Sequence, residues 1–130
     1  MKLLVGYRGT NVGQDLLDLA VKHARAFGYE VQLVTSLPGG EKTSSKKITE
    51  AEENLKEASQ FLTKENIKNT THLLIRGRTA GEDIVSFAQE TDCDEILIGV
   101  KSRSKVGKIL FGSTAQYVIL QAKCPVISVK

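Results

Sequence analysis

Aromatic side chains are scarce in this chain of 130 residues, which has no Trp, three Tyr and four Phe. Proteins that bind single-stranded nucleic acid without regard to sequence stack the bases on aromatic side chains. The shortage argues against that class of ligand. We therefore expect no nucleic-acid partner, although the chain carries a net charge of +3.

Long apolar runs and a cysteine framework are also missing. No apolar stretch approaches the roughly 20 residues of a membrane span. The apolar start Leu3–Val5 is too short for a secretory signal, so we expect a cytoplasmic protein with no membrane partner. The two cysteines, Cys93 and Cys124, each adjoin an apolar run, which favours buried free thiols over the alternative of a disulfide or redox pair.

Acidic residues are absent from positions 101–130, although the chain has 15 of them in all. Six basic residues occur in the same stretch, and four of these lie between Lys101 and Lys108. A short loop with this much positive charge attracts phosphate. The alternative is a solvated polar loop with no ligand.

Short apolar runs alternate with helical patterns from one end of the chain to the other. The order is β-α-β-α-β-α-β-α-β over residues 1–130, in what we predict to be a single α/β domain. Such alternation predicts a doubly wound five-stranded parallel sheet with two helices on each face. The predicted strand order is 3-2-1-4-5. The strand runs are Leu3–Val5, Val31–Ser36, Leu73–Ile75, Ile96–Ile98 and Val126–Val129.

Helix signals separate these strands. The first helical pattern covers Asn11–Phe27, and the second starts near Ile48, after a polar stretch from Pro38 to Lys47 that we interpret as a mobile loop. Capping boxes are predicted at Thr79–Glu82 and at Ser113–Gln116.

The segment from Gly99 to Thr114 has the order strand, basic loop, helix start. Backbone N–H groups and the positive end of a helix dipole make that order a common phosphate site. Because the first and fourth strands are predicted to be neighbours, the residues that follow them, 7–10 and 99–105, would lie in one crevice. The glycines after the first strand do not have the G-x-G-x-x-G spacing of a dinucleotide-binding site. The sequence does not match a P-loop either, because Ile109 follows Lys108 where that motif needs Ser or Thr.

The chain resembles the universal stress protein family along essentially its whole length. The family's nucleotide motif is G-x2-G-x9-G-[ST], and Gly99, Gly112 and Ser113 match it, with Ser102 in place of the second glycine. Three further segments resemble the family in order. They are Leu3–Val5 with Gly9 and Thr10, Arg76–Ile84, and Cys124–Ile127.

This resemblance implies an ATP-binding or ATP-related domain, usually a homodimer. The resemblance leaves ADP, AMP or a cyclic nucleotide open as alternative ligands, and it leaves open whether Mg²⁺ accompanies the nucleotide. The implied phosphate and ribose contacts are Gly99, Val100, Lys101, Ser102, Arg103, Lys105, Gly112, Ser113 and Thr114. The implied base side is Tyr7, Arg8, Gly9, Thr10 and Ser36.

Two residues depart from the family pattern. Members usually place Asp where this chain has Arg8, so an acceptor for ribose or adenine is lost and a cation is gained. Ser102 adds a side chain where close backbone approach is expected. These departures keep open an alternative function, a dimeric interaction module of the same fold that binds no nucleotide.

No catalytic or metal-binding residues are predicted. Phosphoryl transfer needs a positioned base and a metal-binding carboxylate, and no Asp, Glu or His follows Gly99. Slow ATP hydrolysis is the most that the sequence allows. The last strand, Val126–Val129, is an apolar sheet edge, which predicts pairing with a second copy, the alternative being an edge protected by Lys130 alone.

Overall fold

The computed structural model describes residues 1–9, 13–100 and 112–130. Strands and helices alternate through these ranges, as the sequence predicts. The strands are β1 (Lys2–Gly6), β2 (Glu30–Ser36), β3 (Asn69–Leu74), β4 (Glu95–Gly99) and β5 (Val126–Val129). The helices are α1 (Gly13–Phe27), α2 (Ser45–Lys64), α3 (Ala80–Glu90) and α4 (Ser113–Gln121).

The five strands form one parallel sheet in the order β3-β2-β1-β4-β5. The predicted order 3-2-1-4-5 is therefore confirmed. In the centre, Val5 of β1 is paired with Leu33 of β2 on one side and with Leu97 of β4 on the other. The direction of winding reverses between β1 and β4, so the crevice of the fold opens at their carboxyl ends.

Helices cover both faces of the sheet. Leu3 and Val5 point to the face covered by α1 and α2, and Leu4 points to the face covered by α3 and α4. All three side chains are fully buried. Such strands have continuous apolar runs rather than alternating patterns because both faces of the sheet are buried under helices. The prediction of two helices on each face is confirmed.

The first two residues of the predicted first helix, Asn11 and Val12, lie outside the described ranges. In α1 the buried side chains are Leu16, Leu17, Ala20, Val21 and Ala24, whereas Phe27 at the end of the predicted helical pattern is 54% exposed. In α4, Val118 is buried and the adjoining Ile119 is 44% exposed.

Two elements begin earlier than their apolar residues predict. β3 starts at Asn69 and ends at Leu74, because an edge strand keeps polar side chains exposed along much of its length. The polar stretch that we interpreted as a mobile loop contains a 3₁₀ turn, Gly40–Lys42, and the first turn of α2. Ser44 caps that helix by accepting a hydrogen bond from the backbone N–H of Lys47 at 3.2 Å.

The two predicted capping boxes have different outcomes. Thr79 and Glu82 form the box at the start of α3, with both reciprocal hydrogen bonds present. The box at Ser113 is wrong, because the N-cap of α4 is Gly112 and it makes no side-chain cap hydrogen bond. Glycine has no side chain with which to cap, so the first N–H groups of α4 are left without that partner.

Helices α3 and α4 approach each other closely at Gly81. A Cβ atom built on this buried glycine would lie 2.9 Å from the Cβ of Tyr117, which is closer than packed carbon atoms allow. The missing side chain therefore sets the spacing of the two helices. Within the described ranges, no helix is both long and apolar enough to cross a membrane.

Candidate functional site

A pocket of about 170 Å³ opens at the carboxyl ends of β1, β2 and β4. This is the position where doubly wound sheets bind their ligands. Its floor is made by the strand ends, and its walls are made by the first turns of α3 and α4. The lining residues are Gly6, Tyr7, Arg8, Val34, Thr35, Ser36, Ala80, Ile84, Ile98, Gly99, Gly112, Ser113, Thr114 and Ala115.

Half of the predicted site residues lie around this pocket. They are Tyr7, Arg8, Ser36, Gly99, Gly112, Ser113 and Thr114. Gly9 follows Arg8 but is not part of the lining, and Val100 is buried, with its N–H donating to the carbonyl of Val129 at 2.8 Å. Thr10, Lys101, Ser102, Arg103 and Lys105 lie outside the described residues.

The start of α4 is the part of the wall best suited to an anion. The N-cap residue Gly112 makes no side-chain hydrogen bond, and Ser113 and Thr114 follow it in the first turn. Backbone N–H groups in a first turn have no partner within the helix and carry the positive end of its dipole. The same turn, from Gly112 to Ala115, lines the crevice, which makes it a candidate phosphate contact.

The loop after β1 is held in place by β2. The N–H of Tyr7 donates to the carbonyl of Val34 at 2.9 Å, and the hydroxyl of Thr35 donates to the carbonyl of Tyr7 at 2.6 Å. The phenol ring packs against Gly13 at the start of α1. Burial, with a smaller contribution from Glu57, raises the pKa of Tyr7, so the phenol is neutral at pH 7.

A buried carboxylate that the sequence analysis missed lies behind Ser36. The side chain of Asp83 is fully buried and accepts hydrogen bonds from the Ser36 hydroxyl at 2.6 Å and from Nε of Arg76 at 2.9 Å. Arg76 also contacts Glu90 at 3.1 Å, and the hydrogen bond that it donates to Asp83 is the main reason that the pKa of Arg76 is raised. Asp83 therefore holds the pocket end of β2 against α3.

Asp83 gave little signal in the sequence. It lies within a stretch matched to the family only as a turn and helix, and an acid in a first helical turn is ordinarily explained by the helix dipole. Because its oxygens are already engaged by Ser36 and Arg76, it serves as a structural anchor.

A second pocket of about 320 Å³ adjoins the first. Arg8, Thr35 and Ser36 line both pockets, so the two meet at the ends of β1 and β2. The other lining residues come from the segment after β2 and from α2. They are Leu37, Pro38, Lys47, Glu50, Ala51 and Asn54.

Neither histidine lines these two pockets. Nδ1 of His23 is 2.7 Å from a carboxylate oxygen of Glu95, a residue at the opposite end of β4. His72 packs against Phe87 with ring centroids 4.7 Å apart, and burial lowers its pKa. Among the residues that the structure describes, no group of three or more His, Cys, Asp or Glu is placed to hold a metal ion.

Both cysteines are free and half-buried. They line a shallow depression at the amino ends of β4 and β5, opposite the candidate site. Cys93 donates to the side-chain carbonyl of Gln32 at 3.0 Å. Burial raises the pKa of both thiols, which leaves them protonated at neutral pH.

The fold and the crevice together define a doubly wound α/β protein with a pocket at its switch point. Comparison with known proteins then gives the family. The model of the universal stress protein family matches residues 1–130, and the chain belongs to that family.

Individual relatives agree with this assignment. A universal stress protein of Methanocaldococcus jannaschii is 30% identical over 140 residues, which cover 99% of this chain and 81% of the relative. A universal stress protein structure from Archaeoglobus fulgidus is 41% identical with a TM-score of 0.92, covering 100% of this chain and 98% of that one. A structure of the universal stress protein from the same organism in complex with dAMP is 38% identical with a TM-score of 0.85 and the same coverage.

Proposed function

We propose that this protein binds an adenine nucleotide in the crevice at the carboxyl ends of β1, β2 and β4, and that it serves a regulatory role in a cytoplasmic stress response. The observation that carries the proposal is the first turn of α4. Its N-cap, Gly112, has no side chain that could accept from the N–H groups of the turn, and Gly112, Ser113 and Thr114 line the pocket.

The shape of the site suits a nucleotide that lies across three strands. Its phosphates would contact Gly112, Ser113 and Thr114, with Lys101, Arg103 and Lys105 of the basic loop adding charge. Its ribose would lie over Gly99 and the end of β1, and its base would lie beside Tyr7 and Ser36. The relative from Archaeoglobus fulgidus that was solved with dAMP supports an adenine nucleotide as the ligand class.

We propose ATP as the physiological ligand, with ADP and AMP as its competitors and with Mg²⁺ accompanying the triphosphate. The positive charge in the sequence favours the longer phosphate chain, since residues 101–130 hold six bases and no acid. Any hydrolysis would be slow, because no described carboxylate or imidazole in the lining of the pocket is free to act as a base.

Thermal unfolding with and without ATP and Mg²⁺ tests the proposal. A ligand that binds only the folded state stabilises it by about 2.7 kcal/mol at a hundredfold excess over its Kd. The increase in Tm should saturate with ATP, and it should disappear in the double variant Lys101→Ala/Arg103→Ala. No change in Tm at millimolar nucleotide would contradict the proposal.

A more specific test introduces a side-chain cap at the start of α4. Gly112→Ser supplies a hydroxyl that can accept from the first turn of α4, so it should stabilise the free protein by a few tenths of a kcal/mol and weaken ATP binding by competing for the same N–H groups. Lys123→Ala changes an exposed base beyond the other end of α4, and it should leave ATP binding unchanged. Tighter ATP binding in Gly112→Ser would refute the role of this turn.

We further propose a homodimer formed through β5. The edge strand Val126–Val129 is only partly covered in the single chain, and Leu120 of the neighbouring helix is 77% exposed. An uncovered edge of this kind favours pairing across a two-fold axis. Sedimentation as a monomer at micromolar concentration would contradict it.

The second candidate function is a dimeric interaction module that binds no nucleotide. The exposed apolar side chains of Ile119 and Leu120 on α4 favour it. A protein that sediments as a dimer but shows no change in Tm with any adenine nucleotide would have this function.

A further inference from the structure

The residue at the junction of the two pockets is Arg8. It lies two residues after the end of β1 and lines both pockets, and its side chain is exposed to solvent. None of the ion pairs formed between described residues involves Arg8 or Lys47. Two cations from different parts of the chain therefore line the same 320 Å³ space, and within the part of the chain that the structure describes Nζ of Lys47 donates only to a backbone carbonyl, that of Lys42 at 3.3 Å.

The close packing of the β1 loop on α2 brings these cations together. Gly9 has a φ of +68°, and a Cβ built on it would lie 2.6 Å from Nδ2 of Asn54. Only glycine fits this approach without strain. Because Gly9 touches α2, the preceding residue, Arg8, is carried beside the first two turns of that helix, where Lys47 and Glu50 lie.

The position of Arg8 along the ligand follows from the strand order. β1 lies between β4, whose side of the crevice includes the start of α4, and β2, which ends at Ser36. A nucleotide with its phosphates at α4 and its base at Ser36 thus has its sugar above the end of β1. Arg8 is then the side chain nearest to the ribose hydroxyls.

A cation beside a ribose has a specific chemical consequence. In dinucleotide-binding folds, an acidic side chain accepts hydrogen bonds from the ribose hydroxyls, whereas an arginine accommodates a phosphate on the ribose. The guanidinium forms two parallel hydrogen bonds with a phosphate but can only donate to a hydroxyl. The second pocket supplies the volume that such a phosphate requires.

We infer that the site also takes an adenine nucleotide with a second phosphate on its ribose, held in the second pocket by Arg8 and Lys47, and that it binds this ligand more tightly than the same nucleotide without that phosphate. This inference rests on the proposed nucleotide function and adds a second class of ligand to it. Glu50 lines the same pocket, so the three charged side chains leave a net charge of +1. The carboxylate opposes the phosphate and should lower its affinity.

Calorimetric titration with three ligands tests the inference. The ligands are AMP, adenosine 3′,5′-bisphosphate and adenosine 2′,5′-bisphosphate, each added to the full-length protein. At least one bisphosphate should bind about tenfold to a hundredfold more tightly than AMP, as charge-assisted hydrogen bonds to one phosphate provide. The isomer that binds more tightly identifies the hydroxyl that faces Arg8.

Variants of the second pocket separate this inference from general charge effects. Arg8→Ala should remove the preference for the bisphosphate, Lys47→Ala should reduce it, and Glu50→Gln should increase it. Lys46→Ala removes an exposed neighbouring charge that does not line the pocket, so the preference should be unchanged. Arg8→Asp should reverse the preference towards AMP, because an acid accepts from a free hydroxyl and repels a phosphate.

The possible failures are distinguishable. Equal affinities for AMP and both bisphosphates, or a preference that survives Arg8→Ala, would overturn this inference and leave the proposed nucleotide function standing. No binding of any of the three ligands while ATP with Mg²⁺ still binds would overturn this inference alone, and no binding of the three ligands or of ATP at millimolar concentration would overturn both. Binding of a bisphosphate without measurable binding of AMP would support the inference in its strongest form.

Discussion

The pair formed by Asp83 and Arg76 should respond unequally to the removal of its two members. The carboxylate is fully buried, whereas the guanidinium is 32% exposed and also contacts Glu90. Arg76→Ala leaves a buried charge with one hydroxyl partner, Ser36. Asp83→Ala leaves a cation that water and Glu90 can still solvate.

The magnitudes follow from this difference in burial. Breaking a buried ion pair by removing one partner costs about 3–5 kcal/mol when the remaining charge is stranded. Because Ser36 continues to donate to Asp83, we expect Arg76→Ala to cost about 3 kcal/mol, at the lower end of that range. Asp83→Ala loses the hydrogen bonds but also removes the desolvation penalty of the carboxylate, so we expect a cost of about 1–2 kcal/mol.

Urea denaturation of the two variants measures this asymmetry, provided that the dependence of the unfolding free energy on urea is unchanged. Glu90→Ala is the matched control, since its side chain is 51% exposed and surface ion pairs contribute about 0–1 kcal/mol. If Asp83→Ala destabilised the protein as much as Arg76→Ala or more, the reasoning from burial would be refuted.

Three further predictions concern other parts of the fold. Thr79→Ala should cost about 1 kcal/mol in urea at pH 7, because the helix loses its N-cap hydroxyl. The hydrogen bonds from Thr79 also lower the pKa of Glu82, so part of this cost is present above the unfolded pKa and is lost as the pH falls through the folded one; a cost that rose on acidification would contradict the assignment. Gly81→Ala should cost about 1–3 kcal/mol through overpacking against α4, and an unchanged Tm would show that the helices separate freely. Cys93 and Cys124 should react with iodoacetamide at pH 7.5 more slowly than glutathione does, because burial raises their pKa values; faster labelling would mean that the thiols are open to solvent.

The central part of the fold was predictable from sequence because its strands are buried on both faces. Leu3–Val5 and Ile96–Ile98 are continuous apolar runs, and the structure has strands at both places. The edge strand β3 was predicted too short, since Asn69–His72 carry polar side chains that a half-exposed edge tolerates. The pattern of apolar residues along a strand indicates which side chains are buried. The side chains of an edge strand are only partly buried, so the pattern gives its bounds less well.

The candidate site was predictable where backbone geometry defines it and not where long-range contacts do. The ends of β1 and β4 and the start of α4 follow from the strand order. Asp83 was missed because its partner Ser36 is 47 residues away. The cap of α4 was assigned to Ser113 rather than Gly112, because a pattern of capping residues does not show which of them starts the helix.

The absent side chain of Gly81 has a consequence for the ligand as well as for packing. Ala80, the preceding residue, and Thr114, three residues before Tyr117, lie on opposite walls of the same pocket. The distance between those walls is therefore tied to how closely α3 and α4 approach at Gly81. One methyl group added there, outside the pocket itself, would act as a spacer that widens the crevice and changes the size of the molecule that it can hold.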